Sequence, residues 1–301
     1  MREAELTFVI QGPECFDAGS NRTLELITEI RASFPASPII FSTWPGIAGR
    51  YPETLVIENV DPGSTLVGRG QYTRNLARQQ VSTLGGLSAA KTEYSFKLRS
   101  DANVVGTKLY ARLFHRGAST SPPPWHDRIV LFYHSVPLKL FMIDDKTQLG
   151  RTNDLRILWN FDISAVLTEP LLQEIVKIER RRNRVWMLNP CNDQSLAPEQ
   201  LIFLSQFDTS GMKGISTGGL AAQYLSMWSE RFFAVESNAY GIRSHKWEIT
   251  GRINVWIFTR FLNLRRWRIA RGWVLLATCA VEHMARFFKK SVRAPRTGNN
   301  L

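Results

Sequence analysis

The stretch KTEYSFKLRSDANV, residues 91 to 104, decides the fold. Tyr94, Phe96 and Leu98 alternate with Ser95, Lys97 and Arg99. An apolar–polar alternation of period two marks a strand. Ser100 and Asp101 close it. In open α/β sheets ligands bind beyond the carboxyl ends of the strands, so Asp101 stands where chemistry is expected. Asn103, two positions on, adds a second oxygen, and the two together suit a hard cation. The same residues fit a plainer role, with Asp101 capping the next turn and Lys97 and Arg99 paired to surface acids.

Outward from this strand, the pattern predicts an α/β fold. Leu6 to Gln11 reads as a buried first strand, ended by Gly12-Pro13. Ser20 or Asn21 suits the cap of a helix over Arg22 to Ser33, with Leu24, Ile27 and Ile30 on one face and Pro35 as its stop. Ile39 to Trp44 and Leu55 to Glu58 read as the second and third strands, the latter followed by an Asp61-Pro62-Gly63 turn. Strand, helix, strand, turn, strand is a Rossmann-like opening. Gly63, Gly68 and Gly70 mark a flexible link, with neither GxxxxGK[ST] nor GxGxxG in it.

A helix is expected from Tyr72 to Leu84. Leu76, Gln80 and Thr83 lie along one side, and Asn75, Arg78, Gln79 and Ser82 along another. Gly85-Gly86 is expected to end or bend it. Further on, the spacing predicts a helix over Lys108 to His115 and strands over Arg128 to Tyr133 and Ile163 to Leu167. Helices are predicted over Pro170 to Arg182 and Ala197 to Phe207. Pro198 and Glu199 form an ordinary helix start.

The 301 residues, 44% of them hydrophobic, suffice for one large α/β domain plus an appendage. Cys15, Cys191 and Cys279 are odd in number and far apart, which excludes a disulfide framework and a zinc spacing and fits a reducing compartment. His115, His126 and His134 lack metal-motif spacing. MREAE runs straight into the first strand with no signal-peptide pattern. The net charge of +12 is uneven: residues 251–301 hold eleven Arg or Lys against one acid, Glu282. The expected organisation is therefore a domain over 1–250 and a basic, aromatic helical extension over 251–301. A nucleic-acid binder spreads its basic residues over a folded face. Charge mixed with Trp and Phe in one terminal segment points instead to an anionic membrane surface, with no nucleic-acid partner. The longest uncharged run, Gly272 to Val281, falls short of the ~20 residues needed to span a bilayer. The expected location is cytoplasmic and peripheral, at the inner face of the membrane. The alternative is a helix packed on the domain with its arginines snorkelling outward.

The segment RNLARQQVSTLGGLSAAKTEYSFKLRSD, Arg74 to Asp101, resembles the WavE family of lipopolysaccharide-synthesis proteins. Shorter pieces match in order: FVIQGP at Phe8, STWPG at Ser42, DPG at Asp61, PEQ at Pro198 and YGIRSHKW at Tyr240. That family is similar to glycosyltransferases of the GT-A type. The resemblance implies a Rossmann-like GT-A nucleotide-sugar-binding domain, a nucleotide-sugar donor, and a glycan or glycolipid acceptor such as lipopolysaccharide.

It also implies roles. Gln11, Gly12 and Pro13 would lie beside the nucleotide, and Asn75, Arg78 and Gln79 would face the nucleotide-sugar, with Arg78 offering paired donors to phosphate oxygens. Arg99 would neutralise leaving charge. Glu199 would be the base of an inverting reaction. Asp162 would border the acceptor. His245 and Lys246 would close over the diphosphate, and Asp101, Asn103 and His245 would hold Mn²⁺ or Mg²⁺. GT-A enzymes usually carry Asp-x-Asp; the third position here is Asn103, which leaves a cation-independent route through Arg99 open. The rival reading is a non-catalytic membrane-associated nucleotide-sugar-binding protein.

Overall fold

The structure, a computed structural model, describes residues 1–63, 65–67, 72–114, 128–133, 143–162, 202–203, 205–206, 226–228 and 230–244. The first strand, β1 (Leu6–Gln11), is buried along its whole length, as a central parallel strand must be. A small hairpin of β2 (Phe16–Asp17) and β3 (Ser20–Asn21) leads to helix α1 (Arg22–Ser33), then to β4 (Ile39–Thr43) and β5 (Leu55–Glu58). A second hairpin, β6 (Thr65–Val67) with β7 (Tyr72–Arg74), precedes helix α2 (Leu76–Ala89). Then come β8 (Tyr94–Arg99), β9 (Ala102–Val104), α3 (Gly106–Phe114), β10 (Ile129–Tyr133), β11 (Thr147–Arg151) and α4 (Thr152–Trp159). The last described strands are β12 (Phe232–Glu236) and β13 (Ile242–Ser244).

Seven strands form one sheet in the order β12-β10-β11-β8-β1-β4-β5. β5, β4, β1 and β8 run parallel, β11 runs antiparallel to both its neighbours, and β10 and β12 are parallel. The chain therefore builds outward from β1 to β5 and returns to the other side of β1 with β8. That reversal is a topological switch point, and the crevice it opens lies beyond the carboxyl ends of β1 and β8.

The alternation of β8 divides the interior. Tyr94, Phe96 and Leu98 join Leu6, Phe8 and Ile10 in the core layer under α1 and α3. Phe8 and Phe96 have ring centroids 5.5 Å apart, and Phe96 and Phe132 are 5.2 Å apart. On the opposite face Ser95 exchanges a 2.8 Å hydrogen bond with Thr152 at the start of α4.

Several expectations are refined. Asn21 caps α1, its Oδ1 accepting from the Leu24 N–H at 3.0 Å. The buried stripe of α1 is Thr23, Leu26, Ile27 and Ile30, whereas Leu24 is exposed. Tyr72 to Arg74 is a strand rather than the first helical turn, because the Tyr-Thr-Arg run pairs with Thr65–Val67. α2 runs through Gly85-Gly86 instead of ending there. A Cβ at Gly86 would stand 2.5 Å from Val9 Cγ1, so these glycines bring the helix close to the sheet rather than breaking it. β4 stops at Thr43, one residue short of Trp44. β11, α4 and β12 have no counterpart in the sequence reading. The expected strand at 163–167, the helix at 170–182 and the whole extension 251–301 lie outside the described residues. Among the described residues, no helix is long and apolar enough to cross a membrane.

Candidate active site

The crevice is built on the joined ends of β1 and β8. The Ser100 N–H donates to the Gln11 carbonyl at 2.9 Å, and the Gly12 N–H donates to the Ser42 carbonyl at 3.1 Å. Gly12 has φ +114°, and a Cβ there would meet Ser100 Oγ at 3.0 Å, so the turn requires glycine. The Gln11 side chain is buried, its Oε1 accepting from Ser82 Oγ of α2 at 2.8 Å. The Gln11–Ser82 contact thus ties α2 to the end of β1 behind the crevice, and Pro13 is exposed at the turn.

At the end of β8, Arg99 grips Asp101 with both arms of its fork. Nε donates to Oδ1 at 2.9 Å and Nη2 to Oδ2 at 2.6 Å, with the two side chains 27% and 25% exposed. Burial works against the guanidinium charge, but the Asp101 charge and hydrogen bonds outweigh it, and the Arg99 pKa is raised.

Beyond Asp101, β9 pairs antiparallel with β13, with Asn103 opposite Arg243 and Ala102 opposite Ser244. The pairing brings the KLRSD and YGIRS segments to one place. Gly241 makes the approach possible: it has φ +78°, and a Cβ there would stand 2.9 Å from the Val105 carbonyl oxygen. β13 ends at Ser244, and His245 and Lys246 lie outside the described residues.

The stripe on α2 splits. Arg78 forms a second forked pair, with Asp61, through Nε–Oδ1 and Nη2–Oδ2 contacts of 2.7 Å each. Asp61 also accepts from the Gly63 N–H at 2.9 Å, which fixes the Asp61-Pro62-Gly63 turn. The Arg78 hydrogen bonds and then that N–H pull the Asp61 pKa down. Asn75 is exposed, and Gln79 is half-buried with an unpartnered Oε1. Both arginines expected to meet donor phosphates are thus paired with a carboxylate. Nearby, Glu58 Oε1 accepts from the N–H groups of Gly46, Ile47 and Ala48 at 2.9, 2.9 and 2.8 Å, pinning the STWPG loop. Those N–H bonds hold its carboxyl below the usual range.

Sequence reasoning missed Asp144 and Asp145. β11 places Thr147 opposite Leu98 and Gln148 opposite Lys97, so the two acids stand beside the end of β8. Asp144 Oδ1 accepts from the Lys146 N–H at 2.8 Å and the Thr147 N–H at 3.3 Å, and burial pushes its pKa up to about 6. Asp145 is buried, with one carboxylate oxygen unpartnered. Lys97, expected to meet a surface acid, is fully buried instead. Its Nζ donates to the Asp145 carbonyl and stands 4.5 Å from the centroid of the Trp159 ring. Burial pulls its pKa down to about 8, against the opposing charge of Asp145. The one available signal was the adjacent acid pair after an apolar run, Phe141-Met142-Ile143.

No group of three His, Cys, Asp or Glu lies together among the described residues; Asp101 accepts from Arg99 with both oxygens, and Asn103 adds a single amide oxygen. All five histidines, including His245, fall outside the described residues. Glu199 does too, although Ile202 and Phe203, further along its expected helix, are helical and fully buried. Asp162 is exposed.

The family model for WavE lipopolysaccharide synthesis matches residues 6–206, from β1 through α4, and stops before the YGIRSHKW piece at Tyr240, which lies outside the match. The chain belongs to the WavE family. No curated protein matches the sequence. Among solved structures, a glycosyltransferase involved in glycosylation of the major capsid of PBCV-1 aligns at 15% identity and TM-score 0.35, over 77% of this chain and 81% of that one. The glycosyltransferase GlyE of Streptococcus pneumoniae TIGR4 aligns at 11% identity and TM-score 0.33, over 97% of this chain and 66% of its own. HddC of Yersinia pseudotuberculosis, complexed with GMP-PN, aligns at 7% identity and TM-score 0.30, over 50% and 77%.

Proposed function

We propose that this WavE protein transfers a sugar from a nucleotide-sugar to a glycan or glycolipid acceptor of lipopolysaccharide assembly, on a GT-A-like sheet. The observation that carries the reading is the Arg99–Asp101 fork at the switch point between β1 and β8. A departing nucleoside diphosphate carries concentrated negative charge, and a guanidinium fork matches phosphate oxygens in geometry and charge. Asp101 keeps Arg99 extended across the crevice until the donor arrives. Arg78, held by Asp61, offers a second fork from α2.

The acceptor hydroxyl then needs a base within hydrogen-bond reach, the role given to Glu199. Glu199→Gln is expected to slow transfer ~10²–10⁴-fold with donor affinity unchanged. A rate within a few-fold of wild type removes Glu199 as the base.

Thermal-shift measurements against UDP-, GDP-, ADP- and CMP-sugars, with and without Mn²⁺, test the donor. A ligand that binds the folded chain raises its Tm by mass action. One nucleotide class is expected to do so without metal; no shift with any sugar nucleotide overturns the reading. Binding without transfer to lipopolysaccharide acceptors identifies a non-catalytic binding protein.

The basic extension gives this function a place, at the cytoplasmic face of the membrane. Each Lys or Arg near an anionic surface contributes ~1 kcal/mol, and Trp256, Trp267 and Trp273 suit the headgroup region. The full chain should float with anionic vesicles, less so at high salt, and a chain ending at residue 250 should not. A full chain that stays soluble in every condition rules this placement out.

A further inference from the structure

Lys97 is the one fully buried lysine among the described residues, and the forks of Arg99 and Arg78 leave it without a task. It lies on the same face of β8 as Arg99, two residues or about 7 Å deeper along the strand. The charges around it are Asp145 and Asp144 before β11, with Lys146 acting on Asp144, Arg99 at the end of its own strand and Asp101 just beyond it; α4 presents the Trp159 ring. We propose that Lys97 is a positioning residue of the leaving-group site, a buried cation beside the Asp145 segment whose charge supports nucleoside diphosphate binding at Arg99. The inference rests on the glycosyl-transfer reading above.

The argument is one of charge balance. With Lys97 protonated, this cluster sets three cations, Lys97, Arg99 and Lys146, against three carboxylates, Asp101, Asp144 and Asp145. Without that proton two cations face three acids, and a diphosphate adds more negative charge. Water is excluded around Lys97, so its charge is felt at the crevice with little screening. Lys97 donates to the Asp145 carbonyl, and the charge of that buried acid favours its protonated form.

A merely structural lysine would leave nucleotide affinity independent of pH, whereas the stability trend of Lys97 is the same in either role. Its lowered pKa, about 8 against ~10.4 in an unfolded chain, means that the unfolded chain holds the extra proton between those values. From this group, stability is lowest below pH 8 and rises as pH climbs toward ~10.4. Deprotonation should therefore spare the fold while weakening the ligand.

The test is calorimetric titration of the full chain with UDP and with GDP from pH 7 to pH 9, beside melting curves over the same range. Affinity for the nucleotide that binds should fall about tenfold by pH 9, one proton being linked to binding at a pKa of about 8, while Tm does not fall. Lys97→Arg should abolish that fall, which also controls for ionisation of the nucleotide base. Lys97→Met should bind weakly at pH 7 with no pH dependence. A pH-independent affinity in the wild type overturns the role of Lys97 and leaves the transferase reading standing, even if both variants fail to fold. A fall that persists in Lys97→Arg assigns the proton to another group and also overturns it. Absence of binding to either nucleotide at every pH, with no shift by any sugar nucleotide, overturns both.

Discussion

Asp101→Ala is expected to abolish sugar transfer in a chain that keeps its fold. The Asp101 carboxylate lies beyond the carboxyl end of β8, a quarter exposed, and among the described residues its hydrogen bonds go to Arg99 and not to the backbone of the turn. Partly exposed ion pairs contribute ~0–1 kcal/mol, so the melting temperature should move by only a few degrees. The loss falls on function. Without Asp101 the Arg99 fork is free to swing, and a donor that places its charge where the fork was waiting no longer meets it. Removing one preorganised electrostatic group typically costs ~10²–10³ in kcat. Here two groups fail together, so transfer should drop at least that far. Arg99→Lys keeps a positive charge but loses the planar two-armed geometry, and it should recover little. Because the two residues act as one unit, the Arg99→Ala, Asp101→Ala double variant should be hardly worse than either single one. Wild-type turnover in folded Asp101→Ala protein would remove this crevice as the active site. Full additivity would show that the pair seen in the structure is not the unit that works.

The strand that carries this pair was legible because its alternation is local. Period two in Tyr94 to Arg99 fixes a strand, and a strand's end fixes where Asp101 stands. β1, β4 and β5 were legible for the same reason, as continuous apolar runs closed by glycine, proline or a turn. β11 was not. Its Thr-Gln-Leu-Gly-Arg run has weak strand character, and only pairing with β8 and β10 makes it a strand. Missing it also hid Asp144 and Asp145, whose proximity to Arg99 comes from antiparallel register and not from spacing in sequence. Lys97 was misplaced because alternation separates two faces without saying that both are covered. α2 and α4 cover the second face, and a lysine there must find the Asp145 carbonyl and the Trp159 ring. The juxtaposition of Asn103 with Arg243 is equally non-local, since well over a hundred residues separate β9 from β13. The family resemblance supplied the order of these pieces; the pairing supplied the contact.

Gly86→Ala tests how α2 is held behind the crevice. Intrinsic helix propensity alone favours alanine over glycine by ~1 kcal/mol in a helix interior, and unfolded-chain entropy favours it as well. The packing points the other way. A Cβ at Gly86 would stand 2.5 Å from Val9 Cγ1 and 3.0 Å from Ser42 Cβ. Valine is stiff about χ1, and Val9 sits in the central strand, so it has no room to turn aside. Gly85 is equally confined, its would-be Cβ 2.2 Å from Asn59 Oδ1. Asn59 in turn is anchored by Nδ2 to Ser42 Oγ and the Thr43 carbonyl at 3.0 and 2.9 Å. Overpacking of this kind costs ~1–3 kcal/mol, which offsets the propensity gain and leaves Gly86→Ala destabilising. A net cost of ~1–2 kcal/mol corresponds to roughly 2–8 °C in Tm for a chain of this size. Gly86→Val, bulkier and β-branched, should lose considerably more. Val9→Ala in the Gly86→Ala background should restore part of the loss, although Val9→Ala alone destabilises by opening a cavity. Since α2 also carries Ser82 against Gln11 and Arg78 against Asp61, lifting it from the sheet should weaken nucleotide-sugar binding alongside stability. Thermal and urea denaturation of the four proteins decide the matter. A Gly86→Ala chain that melts higher than wild type would mean that α2 does not lie this close to β1, and that the back of the crevice is built differently.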